Sequence, residues 1–296
     1  MSELILHQYP ASPYSEKVRA VFGRKALAWQ AVTIPVIMPK PELMPLTGGY
    51  RKTPVLQIGA DIYCDTLLIL DEIERRHPAP NLYPGDAEGQ AKALSWWIER
   101  TCFGPAAAVI FAAVGDRVPQ AFKDDRARFS GRDFDPAKMQ AAAPAMRDTL
   151  RAHFAWLAGM LRNRPFMLGG EPSAADFAAY HVIWFLLRNL GDGIAAELGL
   201  AAVMPWYERM KAFGHGKRGE LDAREALEIA RRADPAPLQE QALGKAVVMA
   251  DDTGRDPVEG ELVALDDARI VLRRSDPQVG LVHLHFPRAG FILRRA

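Results

Sequence analysis

Between residues 12 and 19 the chain reads Ser12-Pro13-Tyr14-Ser15-Glu16-Lys17-Val18-Arg19, directly after a short apolar run. That order sets a hydroxyl where a strand stops and a helix starts. Pro13 has the fixed φ that suits a first helical position, so Ser12 reads as the N-cap. Val18, Val21 and Phe22 then give the helix one apolar face. Backbone N–H groups at such an end carry partial positive charge and favour an anion. A thiolate is one such anion, and a helix N-terminus lowers thiol pKa values. Residue 12 is not a cysteine, so thiol chemistry here requires a thiol from a ligand. The Ser12 hydroxyl would add a hydrogen bond favouring the charged sulfur. Its simpler role is the cap alone, which contributes about 1 kcal/mol. Tyr9, at the end of the strand, is a rival hydroxyl whose plainer role is packing. Ser15 lies inside the first turn and is less suited.

The elements that must position this hydroxyl follow from periodicity. Leu4–Tyr9 reads as a strand, residues 12–25 as a helix and Gln30–Ile34 as a second strand, a βαβ opening. After a loop rich in Pro, Met and Gly come Val55–Ile58 and Asp61–Cys64, close enough to pair as a hairpin around Gly59-Ala60. A helix with Leu67, Leu70 and Ile73 on one face then ends at Arg75, Arg76 and His77 before Pro78. This order predicts a thioredoxin-like α/β domain over residues 1–80. Residues 78–89 hold three prolines and two glycines and read as a linker. An all-α helical domain is expected over 88–232, with an amphipathic helix through Met146, Leu150, Phe154, Leu157 and Leu161. Ser173 and Asp176 have the spacing of a capping box ahead of an apolar, central helix. Beyond the Asp234–Pro237 break the periodicity changes to two. Five runs separated by Asp, Gly or Pro turns predict a small antiparallel β module over 244–296.

Composition narrows the class. The chain has 296 residues, 49% hydrophobic and 25% charged, as in an ordinary globular protein. With 37 basic and 36 acidic residues, it has no electrostatic footprint for nucleic acid. No basic segment leads into an apolar stretch at Met1-Ser2-Glu3-Leu4, so no leader peptide is expected. The apolar run around Val182–Leu187 is too short to span a bilayer. Two cysteines, Cys64 and Cys102, make no disulfide framework and fit a reduced, cytoplasmic setting as small buried hydrophobes.

The thioredoxin-like opening followed by a helical domain resembles the glutathione transferase superfamily over roughly residues 1–220. Ser12 to Arg19 is similar to the active-site segment of the serine-type tau and cysteine-type omega classes. Thr53-Pro54-Val55 resembles the family's cis-proline element, and Asp65-Thr66 its acidic-hydroxyl pair for the γ-glutamyl end of glutathione. Ser173 to Asp176 resembles its folding box, which lies outside the site.

The resemblance implies a glutathione transferase-like enzyme with Ser12 as the catalytic hydroxyl. Glutathione, as co-substrate, would lie on Thr53, Pro54, Asp65 and Thr66, and its thiolate would attack a hydrophobic electrophile by conjugation or addition–elimination. It also implies a homodimer. Serine rather than cysteine at residue 12 disfavours disulfide reduction. The alternative is a non-catalytic protein of the same fold that binds a ligand or partner, with the β module supplying recognition or sealing a surface. Lys40 and Lys52 are candidates for the glycyl carboxylate. Residues 103–145, with five phenylalanines, are a long mixed segment that would roof the acceptor pocket or extend two helices. His283 and His285 share one face of a strand, but no cysteine or carboxylate pattern nearby supports a metal, and none is expected.

Overall fold

The computed structural model describes residues 3–239, 241 and 243–295; Met1 and Ser2, on which the leader expectation bears, lie outside them. Strand β1 (Ile5–Gln8), helix α1 (Pro13–Arg24) and strand β2 (Ala28–Thr33) form the βαβ opening, with β1 and β2 parallel. A single turn, α2 (Met44–Thr47), precedes the hairpin of β3 (Val55–Ile58) and β4 (Asp61–Cys64), and α3 (Thr66–Arg76) follows. β3 runs antiparallel to β1, which completes the thioredoxin-like unit.

Seven helices then build the helical domain: α4 (Glu88–Thr101), α5 (Phe103–Val114), α6 (Gln120–Ser130), α7 (Pro136–Leu161), α8 (Ala174–Leu190), α9 (Gly193–Glu197) and α10 (Met204–Lys211). The 103–145 stretch is therefore helical rather than a loop. Its phenylalanines explain why: Phe111, Phe122 and Phe134 pack with ring centroids 5.1–6.2 Å apart, tying α5 to α6 and to the start of α7. The helix ends inside it are marked by Gly131 at φ 69° and by Asp135, whose carboxylate accepts the N–H groups of Ala137 and Lys138. The 30-residue helical stretch from Glu88 to Arg117 contains an 18-residue window of mean hydropathy 1.3, long and apolar enough to cross a membrane, but α4 and α5 pack on α7 and α8 within the domain. Asp176 accepts from both the Ser173 N–H and hydroxyl at 2.8 Å and from Trp206 Nε1 at 2.9 Å, so the capping box also pins α10 to α8.

One feature departs from the sequence reading and another extends it. Residues 217–232, assigned above to the helical domain, return to the sheet: β5 (Lys217–Glu220) pairs parallel with β2, and α11 (Ala223–Arg232) buries Ala226, Leu227 and Ala230 against it. Gly23 makes this return possible, since a Cβ there would lie 2.1 Å from Gly214 O. The C-terminal strands form the expected antiparallel β module, and the module is joined to the thioredoxin sheet. β6 (Lys245–Ala250), β7 (Val258–Leu265), β8 (Arg269–Asp276), β9 (Gly280–Pro287) and β10 (Phe291–Arg295) join the thioredoxin sheet through a parallel β9–β4 pairing, His283 opposite Asp61. The described strands make one ten-stranded sheet in the order β10-β6-β7-β8-β9-β4-β3-β1-β2-β5. β4 would otherwise be an exposed edge; the edges that remain, β5 and β10, carry Lys217-Arg218 and Arg294-Arg295, charges that discourage further pairing.

Alternation along the central strands divides the core. Leu4, Leu6, Leu56 and Tyr63 face α1, α3 and the helical domain; Ile5, Val55, Ile62 and Cys64 face α2, α11 and the extension's Leu262, Leu272, Leu284 and Phe286. The β9–β4 seam carries polar groups. Asp61 Oδ1 accepts from His285 Nε2 at 2.7 Å and its Oδ2 from the Ala236 N–H at 2.8 Å, while the His285 ring stacks on Tyr63.

α1 is covered on both sides, so its charged residues Glu16, Lys17 and Arg19 are buried. Glu16 accepts from Arg19, from Tyr180 of α8 at 3.0 Å and from His215 at 3.0 Å. Lys17 Nζ donates to Glu99 of α4 at 2.7 Å and to Thr66 Oγ1 at 3.2 Å. His181 of α8 also lies 3.3 Å from the same Glu99 oxygen. These bonds join the helical domain to the thioredoxin domain.

Two outcomes are expected. Burial would raise the Glu99 carboxyl, but Lys17 and His181 outweigh it and hold it at about 2, from an ordinary 4.5. A depressed carboxylate stabilises the fold above its unfolded pKa and loses that contribution as pH falls through its folded value. Glu99→Gln should therefore cost about 3 kcal/mol in urea unfolding near neutral pH, with the gap to wild type narrowing below 4.5 towards 2; an undiminished gap in acid would contradict this. Asp61→Ala leaves the His285 ring and the Ala236 N–H without their acceptor and should cost about 2 kcal/mol. Limited proteolysis should then release the C-terminal strands sooner than in wild type, and unchanged proteolysis would show that the seam is held by packing alone.

Candidate active site

Ser12 caps α1 in extended geometry, φ −74° and ψ 120°, and its Oγ accepts the Ser15 N–H at 3.1 Å. A hydroxyl that accepts one bond still has its own O–H to donate. The Tyr14 N–H belongs to the first helical turn, whose donors have no intrahelical acceptor. A sulfur anion placed here would meet both. Tyr9 lies beside Ser12; burial raises its phenol pKa, against the opposing influence of Arg126 and the Ser12 hydroxyl, so it remains protonated at neutral pH.

Thr53 and Pro54 are joined by a cis peptide bond just before β3. Among the described residues no backbone hydrogen bond uses the Thr53 N–H or C=O, so both can pair with an extended peptide. Thr53 Oγ1 accepts from Lys40 Nζ at 2.9 Å, and Lys40 also donates to Arg51 O at 3.0 Å. Lys40 is thus buried in support of this turn, its pKa lowered to about 8 by burial and then by Arg126 and Arg51.

Asp65 begins α3 at φ 75°, a conformation unusual for a side-chain-bearing residue and worth about 1–3 kcal/mol of strain. Its carboxylate accepts the Leu67 N–H at 2.9 Å. Burial raises its pKa, the Leu67 N–H and Lys52 oppose that, and Glu99 adds to it. A carboxylate with such an uncompensated burial penalty is receptive to a cation. Thr66 takes its hydrogen bond from Lys17, so its hydroxyl is positioned by the buried ion pair that joins the domains.

The walls come from regions that the sequence left unplaced. Tyr14 packs against Phe103 and His181, each at 4.8 Å between centroids, on the helical-domain side. α6 covers the Lys40 corner: Asp125 accepts from the Met38 N–H at 3.1 Å and pairs with Arg51 and Arg126, and Arg126 donates to Val36 O at 3.2 Å. Opposite, the β6–β7 loop reaches in. Its Asp252 pairs with Lys52 at 2.6 Å and its Asp251 with Arg100 at 2.7 Å. Lys52 therefore faces the extension, not an empty carboxylate site.

Sequence reasoning missed Lys17, Glu99, Asp252 and α6. Charged residues in an amphipathic helix normally read as solvated, and nothing local marks Lys17 as buried. Cys64 faces the opposite core cluster, and no described thiol lies beside Ser12. Burial raises the Cys102 thiol to about 11, so it stays protonated in the helical domain. Asp61, His283 and His285 bring donor atoms within 4.8 Å of one another, supplying the carboxylate that the sequence did not place. Both Asp61 oxygens already accept hydrogen bonds there, as expected of a seam between strands.

Comparison with known proteins agrees with this fold. The glutathione S-transferase N-terminal domain profile matches residues 6–81, and the glutathione S-transferase C-terminal domain profile matches residues 140–209. The crystal structure of a GST-like protein from Pseudomonas syringae is 36% identical over 100% of both chains, at TM-score 0.82, so its match includes the C-terminal strands. FtsZ-localized protein A of Caulobacter vibrioides is 25% identical over 71% of this chain and 87% of its own length. Poplar glutathione transferase F1 shares the fold at TM-score 0.56 and 16% identity, with 79% of this chain covering 100% of that one. The N-terminal and helical domains, the serine-capped α1 and the full-length match place this chain in the glutathione S-transferase superfamily.

Proposed function

We propose that the chain binds glutathione in the groove between α1, the Thr53 turn and the α3 N-terminus, and stabilises its thiolate for attack on an electrophilic small molecule. The observation that carries this reading is Ser12, a hydroxyl at the N-terminus of a helix anchored in both domains. The Thr53 backbone offers strand-like pairing to the cysteinyl portion. Asp65 would take the γ-glutamyl ammonium, and Thr66 with the α3 N–H groups the carboxylate. Without a protein thiol at the sulfur position, conjugation or addition–elimination fits better than disulfide exchange. The electrophile would lie against Tyr14 and Phe103.

A second reading is favoured by a specific observation. Lys52, Lys40 and Thr66 are already partnered by Asp252, Thr53 and Lys17. A groove whose anchors are satisfied within the chain also suits a binding protein without catalysis, and one relative carries the name of a protein localised by another protein.

Calorimetric titration with glutathione, followed together with ultraviolet thiolate absorbance, separates the two. Wild type should bind and ionise the thiol near neutral pH. Ser12→Ala should bind within a few-fold of wild type yet lose the thiolate signal and at least about tenfold in conjugation rate, the scale of one charge-assisted hydrogen bond. Uptake by neither protein would reject the transferase reading and leave the binding one.

A further inference from the structure

The β6–β7 loop of the extension reaches both of the other domains. The Asp251 N–H donates to Gly290 O at 3.0 Å, and its carboxylate holds Arg100. Gly254, at φ +59°, sits so close to α6 that a Cβ would lie 2.5 Å from the Phe129 ring, and its N–H donates to Phe129 O at 2.7 Å. These two anchors flank Asp252 and hold its carboxylate on Lys52 at 2.6 Å. Lys52 immediately precedes Thr53. Its charge also opposes the effect of burial on the Asp65 carboxylate at the start of α3, so one ammonium acts on two carboxylates from different parts of the chain.

We propose that Asp252 is a ligand-binding residue: the extension supplies a second carboxylate, beside Asp65, for the ammonium of a γ-glutamyl peptide. The inference rests on the groove described under Proposed function and gives the extension a part in it. Charge and access support it. Arg100 bonds Asp251 at 2.7 Å and lies 3.8 Å from Asp252, so the three carboxylates of Asp65, Asp251 and Asp252 share two near cations, Lys52 and Arg100, and leave one negative charge for a further cation. The Lys52–Asp252 pair is partly open, with side chains 18% and 38% exposed, and a flexible four-carbon stem lets Lys52 swing aside. Thr66 and the α3 N–H groups lie at the same end and suit the ligand's carboxylate. The subsite would therefore read a free amino-acid zwitterion and reject ligands whose amino group is blocked or missing.

The test is calorimetric titration of full-length wild type, Asp252→Asn and Lys52→Met with glutathione and with its deaminated analogue, in which hydrogen replaces the γ-glutamyl amino group. Wild type should prefer glutathione. Asp252→Asn should weaken glutathione by about tenfold and leave the analogue unchanged. Lys52→Met, which removes the internal competitor, should bind glutathione at least as tightly as wild type. If wild type binds glutathione but Asp252→Asn weakens both ligands equally, or neither, Asp252 is only a strut and the inference falls alone. If wild type binds neither ligand, the groove reading falls and takes the inference with it.

Discussion

The buried pairing of Lys17 with Glu99 is the contact on which the arrangement of the groove depends. An ammonium and a carboxylate removed from water attract strongly but lose much hydration, so the pair persists only where further hydrogen bonds complete it. Thr66 and His181 supply those bonds, and each belongs to a part that must be in register: Thr66 opens α3, and His181 lies in the central helix of the helical domain. Glu16 repeats the arrangement one residue earlier, with Tyr180 and His215. The helix that presents Ser12 is therefore fixed by charge on the sides where a solvent-facing helix would carry free lysines and glutamates.

That constraint connects sheet, groove and extension. α1 crosses over β1 and β2, and the segment returning from α10 passes close beside Gly23 to add β5 to the sheet. At the other end β9 covers β4, and α3 leaves β4 with Asp65 at its start. The extension is thus attached next to the residue proposed to meet the ligand's ammonium. From the same strands its β6–β7 loop reaches Lys52 and Arg100. Sealing an edge strand and reaching Lys52 and Arg100 follow from one set of pairings.

How much of this was legible in the sequence depends on range. Ser12-Pro13, Thr53-Pro54 and Asp65-Thr66 announce themselves because capping, proline geometry and helix starts are local chemistry, and each stands where the sequence placed it. The five C-terminal strands were visible for the same reason, as runs of period two. Their partner was not, because the β9–β4 register joins residues more than 200 positions apart and no local pattern encodes it. Lys17 and Glu99 look like surface charge until two domains cover them. α6 escaped because its phenylalanines point in two directions, Phe122 to α5 and Phe129 to Arg51 and Gly254, which blurs a single apolar stripe.

The most direct test of the account is the pH dependence of binding for glutathione against S-methylglutathione, which has no ionisable thiol. If the Ser12 end of α1 stabilises a thiolate, glutathione affinity should rise with pH across the interval between the bound and free thiol pKa values, while S-methylglutathione stays flat. Parallel profiles for the two ligands, or no binding of either, would contradict the claim that this groove exists to hold a charged sulfur.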